Sequence, residues 1–394
     1  MKIIIFLPHL NYGGISRTAS DLSCALPPSI KQHIVLLEDR VAYPYRGILH
    51  ILGERCRKRL LVPGLRLLLN AIAFRRLLAK IEPDAVIAFH HDPREINYLA
   101  GLSLSHMQYR TVTVVLGVHS QAHQHPAKIR TRLHNLLVGE IYRKAHRIIA
   151  CTQGVKADLL SSFKIEPGKI EVIPSAVDPG KIRRMASDPV DHPWFLEKIP
   201  IVISVGRFVR EKNQRDLLKA FALIRKDRNC RLVLVGEGEM RDELRRLAAD
   251  LKISNEVFFT GFQDNPFKFL ARAEVFVLPS LHEAQGIAVV EALAVGCPVV
   301  AYDCPVGPRE MLSPRNPAVS SSANIDYAEY GVLVPVGNVE LLAQAILNLL
   351  NDGKLRHRYV KLGVDRALQF NMKDMISGYL KAITFDRASN YGEK

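Results

Sequence analysis

Apolar residues in this chain fall in short, nearly unbroken runs rather than in strict alternation. In the first half such runs cover residues 2–7, 33–37, 84–89, 111–116, 147–150 and 170–173. Stretches with apolar positions at helical spacing lie between them, around 14–26, 64–80, 94–104, 127–145 and 153–163. Strands that are apolar on both faces and alternate with helices predict a parallel sheet covered on both sides. Asp178-Pro179-Gly180 then opens a polar stretch with Pro189 and Pro193 and no clear period, which reads as a domain boundary. The rhythm restarts at Ile201–Gly206 and continues through 231–235, 256–260, 274–278, 298–301 and 331–334, and the chain is helical from about 338. The expected fold class is α/β, with two Rossmann-like doubly wound parallel-sheet domains facing a central cleft. The expected domains are 1–180 and 181–370, with a last helix, 371–394, returning to the first. Ligands of such folds bind beyond the carboxyl ends of the strands.

Composition supports this picture. A chain of 394 residues exceeds what one core usually holds together, and 48% apolar with 24% charged residues is globular rather than disordered. No apolar run approaches the length of a membrane span. The start, Met1–Pro8, reads as a buried strand and not as a signal peptide, because its apolar run is short and no cleavage site follows. Six scattered cysteines without a C-x-x-C pair point to a reducing cytosol rather than to disulfides or zinc. His119, His123 and His125 lack carboxylates at useful offsets, so no metal site is expected.

Charge changes the picture more. The net charge is +15, and residues 1–190 hold 27 Lys/Arg against 14 Asp/Glu, whereas residues 191–394 hold 27 against 25. The first half therefore faces an anionic partner. Nucleic acid is not expected, for the sequence shows neither interleaved aromatics nor a binding module. An acidic membrane surface remains, and residues 55–80 suit it. Arg55, Arg57, Lys58, Arg59, Arg66, Arg75, Arg76 and Lys80 lie there among leucines. On a helix from about 64, Arg66, Asn70, Arg76 and Lys80 fall loosely on one side, with Leu67, Leu68, Phe74 and Leu78 elsewhere. This pattern fits an interfacial helix, and equally a sheet-covering helix with a solvated basic edge.

The most informative segment runs from Ser280 to Val300. Glu283 and Glu291 stand eight apart, with Gly286 between them and a helix expected from about 287 to 295. A loop entering a helix offers free N–H groups and a positive dipole end to an anion. Neighbouring carboxylates accept hydrogen bonds from sugar or ribose hydroxyls. Val289, Val290, Ala292 and Leu293 make the helix a buried one, and a buried carboxylate needs a partner.

This segment resembles the E-x7-E motif of the large retaining glycosyltransferase family called group 1 or family 4, which has the GT-B fold. Other pieces agree in order: Gly13-Gly14 after the first strand, Val172–Asp178 at the boundary, and Val205-Gly206-Arg207 followed by Glu211-Lys212-Asn213. Leu234–Gly238 and Phe259–Phe262 complete the set, which spans most of the chain. The resemblance implies roles residue by residue. Arg207 and Lys212 bind the donor diphosphate; the plainer alternative is a surface charge pair, with Glu211 beside Lys212. Glu291 accepts from the ribose and Glu283 from the transferred sugar, beside the loop Ala284, Gln285, Gly286 and Ile287. Gly236–Gly238 and Gly261-Phe262-Gln263 line the base pocket. Gly14 lets the backbone approach the donor phosphates, and His119 contacts the sugar near the reacting carbon. The catalytic set is thus His119, Glu283, Arg207 and Lys212.

Two departures stand out: Ala284 follows Glu283 where the family has glycine, and Ser175-Ala176 replaces Asn-Gly. Asp303–Glu310 resembles a D-C-P-x-G-P-x-E loop of the branch that builds polyprenyl-linked or lipopolysaccharide-type glycans from UDP-activated hexoses or N-acetylhexosamines. Cys304 within it reads as a packed thiol rather than a nucleophile. The expectation is a retaining transferase, cytoplasmic and peripheral on the inner face of the membrane, without cofactor or metal. It uses a nucleotide sugar and a glycan or lipid-linked acceptor. The alternatives are a GT-B epimerase and a non-catalytic sugar-nucleotide-binding protein.

Overall fold

The computed structural model describes residues 1–52, 63–102, 109–118, 129–316 and 323–384. The chain divides into two compact units. The first holds residues 1–175 together with the helix Met372–Thr384, and the second holds Ala176–Asn371.

In the first unit, strands β1 (Lys2–Leu7), β2 (Lys31–Leu36), β3 (Ile48–Ile51), β4 (Ala85–Phe89), β5 (Arg110–Val115), β6 (Arg147–Ala150) and β7 (Ile170–Val172) form one sheet in the order β3-β2-β1-β4-β5-β6-β7. Every pairing in it is parallel. Ile3, Ile4, Ile5, Phe6 and Leu7 are all buried, as a strand covered on both faces requires. Helices α1 (Gly14–Ala25), α2 (Pro63–Ile81), α3 (His91–Gly101), α4 (Ile129–Lys144) and α5 (Gln153–Ser162) connect the strands. Strand β3 is absent from the sequence reading: it is an edge strand of four residues, half-buried to exposed, and too short for a periodic signal.

Helix α2 assigns its faces differently from the sequence expectation. Asn70, Ala71, Phe74, Leu78 and Ile81 are buried, and Phe74 stacks on Phe6 with ring centroids 4.5 Å apart. Asn70 therefore belongs to the core side, and Leu68 stands with Arg75, Arg76 and Lys80 on the exposed side. Sequence reasoning placed them oppositely because a leucine-rich helix offers more apolar residues than one buried stripe can hold.

In the second unit, β8 (Ile201–Val205), β9 (Arg231–Val235), β10 (Val257–Gly261), β11 (Val275–Leu278), β12 (Val299–Tyr302), β13 (Asp326–Tyr327) and β14 (Val332–Val334) form a sheet ordered β10-β9-β8-β11-β12-β14-β13. All pairs are parallel except the short edge pair β13–β14. Its helices are α6 (Pro179–Ala186), α7 (Gln214–Asp227), α8 (Arg241–Asp250), α9 (Phe267–Leu270), α10 (Ile287–Ala294), α11 (Pro308–Leu312), α12 (Val339–Asn351) and α13 (Gly353–Ala367). Successive strand residues serve opposite faces. Val202, Leu232, Leu234 and Val275 pack with α7 and α12, whereas Ile203, Val233, Val235 and Phe276 pack with α6 and α10.

The stretch after Asp178 is not aperiodic. It forms α6, capped by the Asp178 carboxylate accepting from the Lys181 amide at 2.8 Å, with Pro179 in the first turn. The last helix, α14 (Met372–Thr384), lies in the first unit against α1 and β5. Among the described residues no helix is long and apolar enough to cross a membrane.

Candidate functional site

The loops at the carboxyl ends of β8, β9, β10, β11 and β12 carry most of the expected site residues. Gly206, Gly236 and Gly261 follow or end the first three strands. Ser280–Gly286 follow β11, and Asp303–Gly307 follow β12.

Backbone contacts lock these loops to one another. The Gly206 amide donates to the Val235 carbonyl and the Gly236 amide to the Gly261 carbonyl, each at 3.0 Å. Phe208 and Glu237 are joined at 2.8 Å, from the Phe208 amide to the Glu237 carbonyl. Glycine is needed here because a Cβ at Gly236 would come within 2.0 Å of the Gly206 carbonyl oxygen, and one at Gly238 within 2.3 Å of that of Phe208. The V-G-x-G glycines thus press the loop after β9 onto the loop after β8. The Leu281 amide donates to the Glu211 carbonyl at 2.9 Å, tying the Arg207–Asn213 segment to the E-x7-E loop.

That tie brings together two expected residues from distant parts of the sequence. Lys212 Nζ donates to Glu283 Oε1, and Ser280 Oγ donates to the same oxygen at 2.8 Å. The Lys212 side chain is 25% exposed and that of Glu283 10%. The plainer reading of Lys212 as a surface partner of Glu211 does not hold, since its ion pair is with Glu283. Lys212 ends a 3-10 turn, Arg210–Lys212, followed by Asn213 in the left-handed conformation (φ 49°), from which α7 starts. Asn213 is fixed by a 2.7 Å bond to Asp216, whose carboxylate also accepts from Tyr302 Oη at 3.1 Å. Arg207 is exposed, and its carbonyl accepts from Gln214 Nε2 at 3.0 Å.

Gly286 caps α10 with φ 76°, and five residues on Glu291 is 5% exposed. Gln285 is buried, Ala284 and Ile287 are half-buried, and Phe262 is 42% exposed. Among the described residues the Nδ1 atom of His282, next to Glu283, is buried without a hydrogen-bond partner. The loop after β12 closes on the same residues. A Cβ at Gly307 would approach the Gln285 carbonyl oxygen to 3.1 Å. Burial first, and then the nearby Glu283 charge, push the Cys304 thiol up to about 12. A thiol so far from ionising is no nucleophile, as its packed position suggests.

Sequence reasoning missed the groups that hold this loop. Arg309, 2% exposed, forks onto Asp303 with bonds of 2.7 to 3.1 Å and reaches Asp326 at 3.0 Å. The signal was an acid and a base inside one loop motif; the second acid comes from the edge strand β13. Ser280 stood at the head of the motif, but its bond to Glu283 has no signature in sequence.

Gly14 begins α1 in the first unit, and a Cβ there would meet nothing within 4 Å, which leaves open space at a helix N-terminus. His119, His123, His125, Cys56 and the basic residues Arg55, Arg57, Lys58 and Arg59 lie outside the described residues. Among the described residues no cluster of His, Cys, Asp and Glu is arranged to hold a metal.

Comparison with known proteins extends these observations. Residues 192–365 match the model of glycosyl transferases group 1, and residues 12–181 match that of glycosyltransferase family 4. A Campylobacter jejuni protein named N-acetylgalactosamine-N,N'-diacetylbacillosaminyl-diphospho-undecaprenol 4-alpha-N-acetylgalactosaminyltransferase is 27% identical over 382 residues, covering 96% of this chain and 98% of its own length. The lipopolysaccharide core biosynthesis glycosyltransferase LpsE of Rhizobium meliloti is 32% identical over 61% of this chain and 65% of its own. Among solved structures, Anabaena HepE in complex with UDP superposes with a TM-score of 0.75 at 17% identity, covering 98% of this chain and all (100%) of that one. WaaG, a glycosyltransferase involved in lipopolysaccharide biosynthesis, gives 0.75 at 16% identity, with coverage of 98% and 100%. These likenesses establish a GT-B fold. With both units matched by models of one kind and the E-x7-E loop built as described, the chain belongs to the group 1, family 4 glycosyltransferases.

Proposed function

We propose that this glycosyltransferase moves a hexose or N-acetylhexosamine, with retention, from a UDP-linked donor to a glycan or lipid-linked acceptor in the synthesis of cell-surface polysaccharide or lipopolysaccharide. The observation that carries the reading is the meeting of Lys212 with Glu283 at the mouth of the loop that leads to buried Glu291. In this reading the donor diphosphate draws Lys212 from Glu283 and also meets exposed Arg207. As the glycosidic bond breaks, negative charge grows on the leaving diphosphate, and two fixed cations stabilise that state more than the ground state. Glu283, released, accepts from hydroxyls of the sugar, and Glu291 from those of the ribose. The leaving phosphate takes the acceptor's proton on the same face, which keeps the anomeric configuration. The reading assigns the leaving-group charge to Arg207 and Lys212 and gives no role to a metal. The UDP in the HepE structure and the diphospho-undecaprenol in the Campylobacter relative's name favour this donor and acceptor class.

A lipid-linked acceptor is met at a membrane, and α2 has a surface suited to it. Leu65, Leu68, Leu69 and Ile72 are 45, 51, 37 and 42% exposed in one helical row, followed by exposed Arg75, Arg76 and Lys80. The sequence of α2 contains no acidic residue. An apolar row continued by cations fits the boundary of an anionic bilayer on the inner face of the cytoplasmic membrane.

Incubation with a panel of UDP-sugars and a membrane lipid extract tests the reading. Label appearing in lipid or glycan with the donor's anomeric configuration supports it. Donor isomerisation points to an epimerase, and donor binding without turnover to a binding protein; either result overturns the proposal. Transfer persisting in EDTA is expected, and its loss removes the metal-free assignment.

A further inference from the structure

The first unit holds a cavity of about 200 Å³ beyond the carboxyl ends of β4 and β5, to which none of the roles above is attached. Ile15 and Val114 supply apolar wall; His90, His91, Arg94 and Tyr142 supply the polar side. Arg94, in the first turn of α3, is 5% exposed, and Tyr142 is 1% exposed. The guanidinium donates through one terminal nitrogen to Tyr142 Oη and meets His91 Nδ1 through the other. Among the described residues, its remaining N–H groups meet no acceptor.

A buried guanidinium normally has a carboxylate beside it, because an unpaired charge held away from water is strongly unfavourable. Arg94 has none within ion-pair distance among the described residues. Asp92 is turned toward Arg66, at 3.8 Å, and is about half exposed. Glu95, next along the helix, feels the Arg94 charge but does not line the cavity, and burial followed by Asp92 raises its pKa. The cavity also receives the N-terminus of α3, with His90 at φ 74° ahead of it. A positive fork, two imidazoles, a helix start and room for more than a water molecule therefore converge with no carboxylate in the described lining, Asp92 and Glu95 acting on His90 and Tyr142 from outside it.

We propose that this cavity is an anion subsite that takes a phosphate or carboxylate group of the acceptor. The word acceptor rests on the transferase reading; the anion site does not. Two oxygens of such a group match the planar guanidinium fork, and the apolar wall covers the carbon skeleton beside it.

The test uses the full chain with UDP at saturation, so that diphosphate-binding residues of the second unit are filled. Methyl phosphate and glucuronate are then titrated calorimetrically as probes. One of the two is expected to bind, and which one does identifies a phosphate-bearing or an acidic-sugar acceptor. Arg94→Gln should weaken that probe at least tenfold and leave UDP affinity unchanged. Arg94→Lys keeps the charge and loses the fork, and should weaken it several-fold; this variant serves if Arg94→Gln does not fold. Failure of both probes to bind wild type at millimolar concentration overturns the proposal, as does wild-type affinity in the folded variants. If wild type does not bind UDP, the transferase reading falls, and the probes titrated without UDP still decide the anion site.

Discussion

Lys212 and Glu283, separated by 71 residues, form an ion pair across the loops that follow β8 and β11, with Ser280 bonded to the same carboxylate oxygen. In the proposed reading Lys212 serves the donor phosphate and Glu283 a sugar hydroxyl. Each holds the other in place without substrate, which spares both the cost of standing desolvated alone.

Substitutions at the two ends of this pair should act in opposite directions on UDP. Lys212→Ala removes a charge-assisted bond of about 1.5–3 kcal/mol and should weaken UDP about 10- to 100-fold, with transfer falling as far. Glu283→Gln removes a negative charge from beside the diphosphate and frees Lys212, so UDP should bind more tightly, by a few-fold, while transfer is lost. Calorimetry with UDP and a transfer assay on the same preparations separate the two. Weaker UDP binding in Glu283→Gln would contradict the placement of the diphosphate at Lys212.

Glu291 is buried on α10, so its replacement tests recognition only if stability is read separately. Glu291→Ala should weaken UDP about 10- to 100-fold, on the same bond scale. The decisive readout is selectivity. Wild type should prefer UDP over its 2′,3′-dideoxy analogue, and the variant should bind the two alike. If selectivity survives while both affinities drop together, Glu291 is a packing residue and the ribose assignment is wrong.

Much of this site was readable because its parts are local. Gly286 and Glu291 lie in one loop-to-helix segment, and the buried run Val289–Leu293 marks the helix as internal. What sequence could not show is pairing at a distance. Lys212 had an acid as its immediate neighbour, yet its partner lies beyond three further strands, set by sheet order and not by chain proximity. The same holds for Arg309, whose second acid, Asp326, sits on a two-residue strand. Helix α2 failed for a different reason: with leucines on every side, periodicity leaves open which stripe is buried, and the stacking of Phe74 on Phe6 decides it. Asp178 and Pro179 were capping signals read as a linker because α6 has only 8 residues.

A histidine pair should make the first unit sensitive to acid. His33 Nδ1 and His50 Nε2 lie 2.9 Å apart across β2 and β3, with the rings stacked at 5.2 Å. One nitrogen must donate and the other accept, so both rings cannot be protonated without breaking the bond. Burial, then His50, Lys31 and Lys2, lower the pKa of His33; burial, then Lys80, lowers that of His50. The unfolded chain therefore binds more protons than the folded one as pH falls through about 6.5, and stability is lost in that direction. Urea melts from pH 7.5 down to 5.5 should show this loss, at up to about 1.4 kcal/mol per pH unit for each proton. His50→Gln should flatten the dependence. An equally steep profile in that variant assigns the acid sensitivity to other groups.

The exposed row on α2 makes a prediction that separates apolar insertion from charge attraction. Leu68 and Ile72 are exposed, as are Arg75 and Arg76, so substituting either pair leaves the core formed by Ala71, Phe74 and Leu78 intact. On vesicles containing anionic lipid, Arg75→Gln with Arg76→Gln should cost about 1 kcal/mol per charge, and partition should fall roughly 30-fold. Leu68→Ser with Ile72→Ser removes side chains worth about 1.5–3 kcal/mol each when fully buried, so partition should fall at least as far. Salt distinguishes the two: raising ionic strength to about 1 M shrinks the screening length to about 3 Å and should erase the effect of the arginine pair while sparing that of the apolar pair. Neutral vesicles should respond to the apolar pair alone. If both double variants sediment with anionic vesicles as wild type does, α2 is a sheet-covering helix with a solvated edge, and the acceptor must be reached by another surface.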